Sequence, residues 1–161
     1  VGGSPALGWA QTDEDTSYGP ATWMRIPRIG VDSATVDVEL TDGYYDVPWF
    51  DVGHHADSVG PGETGNSVFN GHVLTINAGR VFSRLKELVV GDAVFVYTPD
   101  FRTGWAIDST FAVPDGDQTF LAQTSEPRLT LYTCTGLFNP FERTYDQRLV
   151  VVGQLVEAVP R

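Results

Sequence analysis

The spacing of apolar and polar positions changes character at Trp23. Before it, residues 1–22 are rich in Gly, Ser, Thr, Pro and acidic side chains and hold no periodicity, which predicts a loosely attached arm. After it come short runs with the period-two texture of strands, separated by turn residues. Residues 34–40 alternate as a half-buried strand does, 23–27 form a short run closed by proline, and 66–72 follow a turn-rich stretch. Further strand-like runs occupy 93–98, 103–113, 118–123, 128–134 and 147–157. One stretch departs from this texture. Val81, Leu85 and Leu88 stand at helical spacing, with room for about two turns, so a minor helix or 3₁₀ segment is predicted there.

Strands at this density, with one short helix, predict an all-β sandwich or barrel. A chain of 161 residues suits one domain, expected over 23–161 beyond the arm at 1–22, and is long enough to bury a core. No internal repeat or low-complexity block interrupts it.

Composition narrows the function. The net charge of -11 repels polyanions, which argues against nucleic acid as a partner. No run approaches the roughly 20 apolar residues of a membrane span, and the opening Val1-Gly2-Gly3-Ser4-Pro5 is not a signal sequence. Attachment to a membrane is therefore expected only through an anchor outside these residues. The single cysteine, Cys134, excludes an intramolecular disulfide and a multi-thiolate metal site. It is either a small buried apolar residue or a reactive thiol.

Two motifs lose their usual meaning in context. Gly60-Pro61-Gly62-Glu63-Thr64-Gly65 spells G-x-G-x-x-G, but no apolar strand precedes it and a strand rather than a helix is expected after it, so it reads as a turn. His54 and His55 are adjacent, so on a strand they face opposite ways, and no third metal ligand stands at useful spacing. No metal or other cofactor is expected.

Three features bear chemistry. In Leu129-Thr130-Leu131-Tyr132-Thr133-Cys134-Thr135-Gly136 the alternation runs up to Cys134, and Gly136 then releases the chain into a loop expected over 137–146, so the thiol is predicted at a strand end. Asn70-Gly71-His72 likewise stands where a strand gives way to a looser stretch, and an imidazole is the natural proton partner for a thiol. Arg148 opens a valine-rich run. If 128–134 and 147–157 pair antiparallel, Arg148 returns beside Cys134, where it is either a rim charge paired with Asp146 or a donor to an oxyanion. Arg143 is the alternative arginine, and His54 or His55 the alternative histidine.

These segments resemble those of sortases. Thr130-Leu131-Tyr132-Thr133-Cys134 is similar to their T-L-x-T-C signature, Asn70-Gly71-His72 to their histidine segment, and Arg148 with its valine-rich strand to their arginine position. The order His, Cys, Arg agrees, and the likeness extends over about 23–157, taking in Val81-Phe82-Ser83-Arg84-Leu85 and Val90-Gly91-Asp92. After the cysteine stands Thr135-Gly136, not the Tyr-Pro of one subclass, and the chain is closer to the class E and class F enzymes.

The resemblance implies a closed eight-stranded β-barrel with one or two short helices. It implies a cysteine transpeptidase that cuts an L-P-x-T-G or L-A-x-T-G sorting signal between Thr and Gly and joins the acyl part to an amine. In those terms Cys134 is the nucleophile, His72 the acid and base, and Arg148 the residue that positions substrate and steadies the oxyanion. Thr133, Tyr132 and Val150 are expected to touch substrate, in a groove floored by valines and roofed by a mobile loop over 114–127. The expected partners are sorting-signal-bearing surface proteins and a cell-envelope amine, met by a monomer on the outer face of a bacterial membrane. Hydrolysis without an amine, or a barrel that only binds with Cys134 buried and inert, are the competing functions.

Overall fold

The computed structural model describes residues 17–73 and 79–161. Its strands are β1 (Trp23–Ile26), β2 (Val31–Val38), β3 (Leu40–Thr41), β4 (Tyr44–Tyr45), β5 (Val52–His55), β6 (Asn66–Asn70), β7 (Ala93–Tyr97), β8 (Phe101–Pro114), β9 (Arg128–Asn139) and β10 (Thr144–Pro160). Eight of them close a barrel in the order β1-β2-β5-β6-β9-β10-β8-β7, while β3 and β4 form a separate two-stranded hairpin. The pairs β2–β5 and β6–β9 are parallel and the remaining barrel pairs are antiparallel. This is the closed all-β barrel expected from the sequence, and closure leaves no open sheet edge.

Alternation decides what each strand buries. Met24 and Ile26, Val94 and Val96, Leu129 and Leu131, and Val151 point inward and meet Trp105, Phe69, Phe82 and Leu85 in one core. Trp105 can be buried there because its indole N–H donates to Thr103 Oγ1 at 2.9 Å, and that hydroxyl donates to Val96 O at 2.8 Å. The helical spacing over 81–88 emerges as turns followed by a 3₁₀ segment, Leu85–Glu87, which delivers Leu85 and Leu88 to the core.

Two expectations need correction. Residues 118–123 are not a strand but contain a 3₁₀ turn, Thr119–Leu121. Asp117 Oδ1 accepts from Thr119 N at 2.9 Å and from Thr119 Oγ1 at 2.7 Å, a local turn that outcompetes pairing when the closed barrel offers no edge. Nor is 137–146 a free loop: β9 continues to Asn139 and β10 begins at Thr144. Phe138 packs edge-on against Tyr145 at 5.3 Å, and Asn139 Oδ1 accepts from Phe141 N and Glu142 N to close the turn. Among the barrel strands, β5 has no counterpart in the sequence reading, because Val-Gly-His-His is buried throughout and shows no alternation.

Of the expected arm, residues 1–16 lie outside the described residues. Residues 17–22 carry no strand but lie against the barrel: Thr22 N donates to Tyr97 O at 2.8 Å, and Tyr18 meets Phe101 edge-on at 4.9 Å.

Candidate active site

The outer wall of the barrel at β5, β6, β9 and β10 gathers several of the side chains singled out in the sequence. On β9, Leu129, Leu131 and Thr133 point inward, so Thr130, Tyr132 and Cys134 point out. Across the ladder Arg148 pairs with Cys134, Val150 with Tyr132 and Val152 with Thr130. Directly opposed residues share a face, so the register sets Arg148 beside the thiol, as the hairpin argument expected. Cys134 is not at a strand end. It lies inside β9, next to an irregularity where the register shifts between Tyr145 and Gln147. Gly136 makes that irregularity possible, with φ of 84° and no room for a Cβ beside Asp146 Oδ1.

His72 reaches the same level from the other side. The parallel pair β6–β9 ends with Asn70 matched to Tyr132, and His72 follows two residues past the end of β6 as Cys134 follows two residues on within β9. Thr133 ties the two chains there, its Oγ1 donating to Gly71 O at 2.7 Å. Gly71 has no space for a side chain, since a Cβ would meet Val81 Cγ1 at 2.7 Å and Phe82 Cδ2 at 2.8 Å. The ring of His72 is further held by a hydrogen bond to the backbone of Val47.

Burial acts on both groups in opposite senses. It pushes the Cys134 thiol above its ordinary 9.0, with the Arg148 charge opposing and the Asp115 carboxylate adding to the rise. It lowers the His72 imidazole below 6.5, against the hydrogen bond that the ring donates to the Val47 backbone. At neutral pH the resting pair is therefore a thiol and an uncharged imidazole. The Arg148 guanidinium donates through Nη1 to Tyr145 O and Gln147 O, both at 3.0 Å, and through Nη2 to Thr144 Oγ1 at 3.2 Å. Asp146, its partner in the rim-charge alternative, instead accepts from Leu137 N at 2.8 Å. The alternative Arg143 sits at the tip of the β9–β10 hairpin with φ of 56°.

Of the remaining expected residues, Thr133 points inward, and Val150 and Tyr132 belong to a small apolar cluster under the expected roof. Val150 and Val152 are buried beneath Phe120, with Val113, Leu121 and Tyr132 packed around them. The roof is fastened by Asn66, which is fully buried. Its Nδ2 donates to Phe120 O at 3.0 Å and Ala122 O at 3.1 Å, while its Oδ1 accepts from Thr130 Oγ1 at 2.6 Å. The segment thus has built-in anchors despite its turn-forming composition.

His54 and His55 face opposite sides of β5. His54 packs on Phe69 inside and holds Asp37 Oδ1 at 3.1 Å and Val59 O at 2.9 Å. His55 faces out and lies 2.7 Å from the Tyr132 hydroxyl. The asparagines 66 and 70 did not emerge as site residues from the sequence, and His55 entered there only as an alternative to His72. The available signal was two asparagines in one buried five-residue strand, Asn66–Asn70, where that residue type is disfavoured.

Comparison with known proteins gives one consistent result. The family model described as Sortase domain matches residues 24–156. No match is found among the curated proteins. Among solved structures, the Sortase D5 transpeptidase of Clostridium perfringens is similar at 26% identity and a TM-score of 0.67, over 86% of this chain and 79% of that one. Sortase E1 of Streptomyces coelicolor, solved with a tripeptide in its active site, gives 23% identity and a TM-score of 0.72 over 89% and 91% of the two chains. Sortase A of Listeria monocytogenes gives 18% identity and a TM-score of 0.71 over 87% and 89%.

Proposed function

Because the chain belongs to the sortase family of cysteine transpeptidases, we propose that it acts at the cell surface on an L-P-x-T-G or L-A-x-T-G sorting signal. Cys134 is the nucleophile of that reaction, His72 its proton carrier and Arg148 its oxyanion donor. The observation that carries this reading is the register: Arg148 opposite Cys134, and the His72 segment tied to the same strand through Thr133.

The steps follow from the chemistry of the groups. Cys134 Sγ, having passed its proton to His72, attacks the threonine carbonyl, and the oxygen takes up negative charge beside Arg148. Collapse breaks the bond to glycine, whose amine leaves with the proton held by His72. What remains is a thioacyl-enzyme. An incoming amine then loses its proton to His72 and attacks the thioester, forming a new amide and returning Cys134 to the thiol. A sulfur ester suits this exchange because amines attack it readily, splitting one difficult step into two. Thr133 acts by position, since its hydroxyl hydrogen is directed at Gly71 O. Tyr132 and Val150 supply the apolar wall and floor. The acceptor is a cell-envelope amine and the acyl donors are surface proteins bearing the signal. The enzyme works as a monomer.

The test is a fluorogenic peptide of each signal type, offered with and without triglycine. Cleavage lost in Cys134→Ala, with a ligated product when triglycine is present, is the expected outcome and also identifies the preferred second residue. Cleavage to acid alone, unaffected by amine, would make the chain a hydrolase. No cleavage of either peptide would contradict the substrate assignment.

A further inference from the structure

Beside Cys134 lies a buried polar network that the proposed steps leave unused. Tyr132 precedes Cys134 by two residues on β9, so the two share a face. Its hydroxyl is 2.7 Å from His55 Nε2 and 3.3 Å from Asn70 Nδ2. An amide nitrogen only donates, so Asn70 fills a lone pair of the hydroxyl, and donation to His55 is the arrangement that leaves the buried hydroxyl hydrogen satisfied. His55 therefore accepts at Nε2 and carries its own hydrogen on Nδ1.

Both neighbours are held in turn. Tyr45 lies flat on the imidazole, with ring centres 3.6 Å apart and planes 12° from parallel, and its hydroxyl donates to Asp57 Oδ2 at 2.5 Å. Asn70 also donates to Asp46 O at 3.1 Å. His55 and Asn70 are each 1% exposed. Committing two buried polar side chains to one hydroxyl is costly where an apolar ring would fill the space, so the hydroxyl has a use beyond packing. On its far side the Tyr132 ring meets Phe120 at 5.1 Å, and Val150 pairs with it across the ladder. The ring is the wall between the thiol and the apolar floor.

We propose that His55 is a positioning residue for acyl transfer: by taking the Tyr132 hydroxyl hydrogen it fixes the ring against which a peptide entering toward Cys134 is aligned. This rests on the reading of Cys134 as a nucleophile toward a peptide carbonyl. A freed ring leaves the thiol intact but lets the scissile carbonyl stray from its line of attack. The acceptor is available throughout the neutral range, because burial brings the His55 imidazole down to about 4, opposed by Asp57 and helped by His54. Tyr45 and Tyr132, the other titratable groups facing it, are both pushed up to about 12 and stay uncharged.

The experiment compares the wild-type chain with Tyr132→Phe, His55→Leu and His55→Gln. Tyr132→Phe and His55→Leu are each expected to lower kcat/KM for the sorting peptide by about tenfold, with the double variant no worse than either, since they break one bond. His55→Gln offers an amide oxygen to the same hydrogen and recovers most of the rate. Alkylation of Cys134 by iodoacetamide, which needs no wall, stays at the wild-type rate in all of them. Peptide kinetics unchanged in Tyr132→Phe overturn the proposal. So does a loss of alkylation and peptide cleavage in parallel, which would mark a purely architectural bond. Imidazole ¹⁵N spectra read the bond without any peptide: hydrogen on Nδ1 is expected, and hydrogen on Nε2 refutes it. If that tautomer is present but the wild type cleaves no sorting peptide, the substrate reading has failed and the positioning role falls with it.

Discussion

Removing water from a thiol and from an imidazole drives both toward their neutral forms, and Cys134 and His72 obey that rule in opposite directions along the pH axis. The thiol titrates above 9.0 and the imidazole below 6.5. Catalysis through this pair loses rate in acid when His72 protonates and in alkali when the pair loses its proton. The profile of kcat/KM against pH is therefore expected to be a wide bell, with its acid midpoint below 6.5 and its alkaline midpoint above 9.0. Asp115→Asn removes a negative charge that disfavours the thiolate, so its alkaline limb moves to lower pH. An acid limb above 6.5, or an alkaline limb that Asp115→Asn moves upward, would contradict the assignment. Arg148 belongs to the same balance, as a nearby cation that favours the thiolate.

Strands and loops hold these residues, and Asn66 shows how one side chain can govern an element. It fastens the segment around Phe120 over the valines through two backbone carbonyls and one hydroxyl. Asn66→Ala removes three buried hydrogen bonds, an expected loss of about 3 kcal/mol in denaturant unfolding. It also releases the segment around Phe120, read as faster amide exchange over 115–127. Stability within about 0.5 kcal/mol of wild type would mean that the roof is held by apolar contact alone.

Much at this scale was legible in advance. The alternation of residues 128–134 and the valines after Arg148 foretold β9 and β10, and with them the pairing of Cys134 with Arg148. Other features were not legible because they depend on partners distant in sequence. The four residues of β5 are strand only because β2 and β6 flank them. Gly53 in that strand reads as a breaker, yet a Cβ there would collide with Asn70 Oδ1. Phe120 and Leu121 looked like part of a strand, but Asp117 turns the chain before it. The bond between His55 and Tyr132 joins residues 77 positions apart, and no local pattern announces it.

At the scale of the whole molecule, the closed barrel makes the site rigid by default. β9 and β10 are bonded along most of their length, and β9 is bonded to β6 on its other edge, so Cys134, Arg148 and the His72 segment share one framework. Positions set by such a ladder are held more closely than positions on free loops. Among the described residues no helix is long and apolar enough to cross a membrane. In the proposed reaction Cys134 carries the acyl group. Intact-mass spectrometry of the enzyme mixed with sorting peptide, quenched in acid without any amine, tests this most directly. The expected spectrum shows an adduct equal to the peptide's acyl portion up to threonine, mapped to Cys134, lost on adding triglycine and absent from Cys134→Ala. Peptide turnover with no such adduct, or an adduct that persists in Cys134→Ala, would contradict the account.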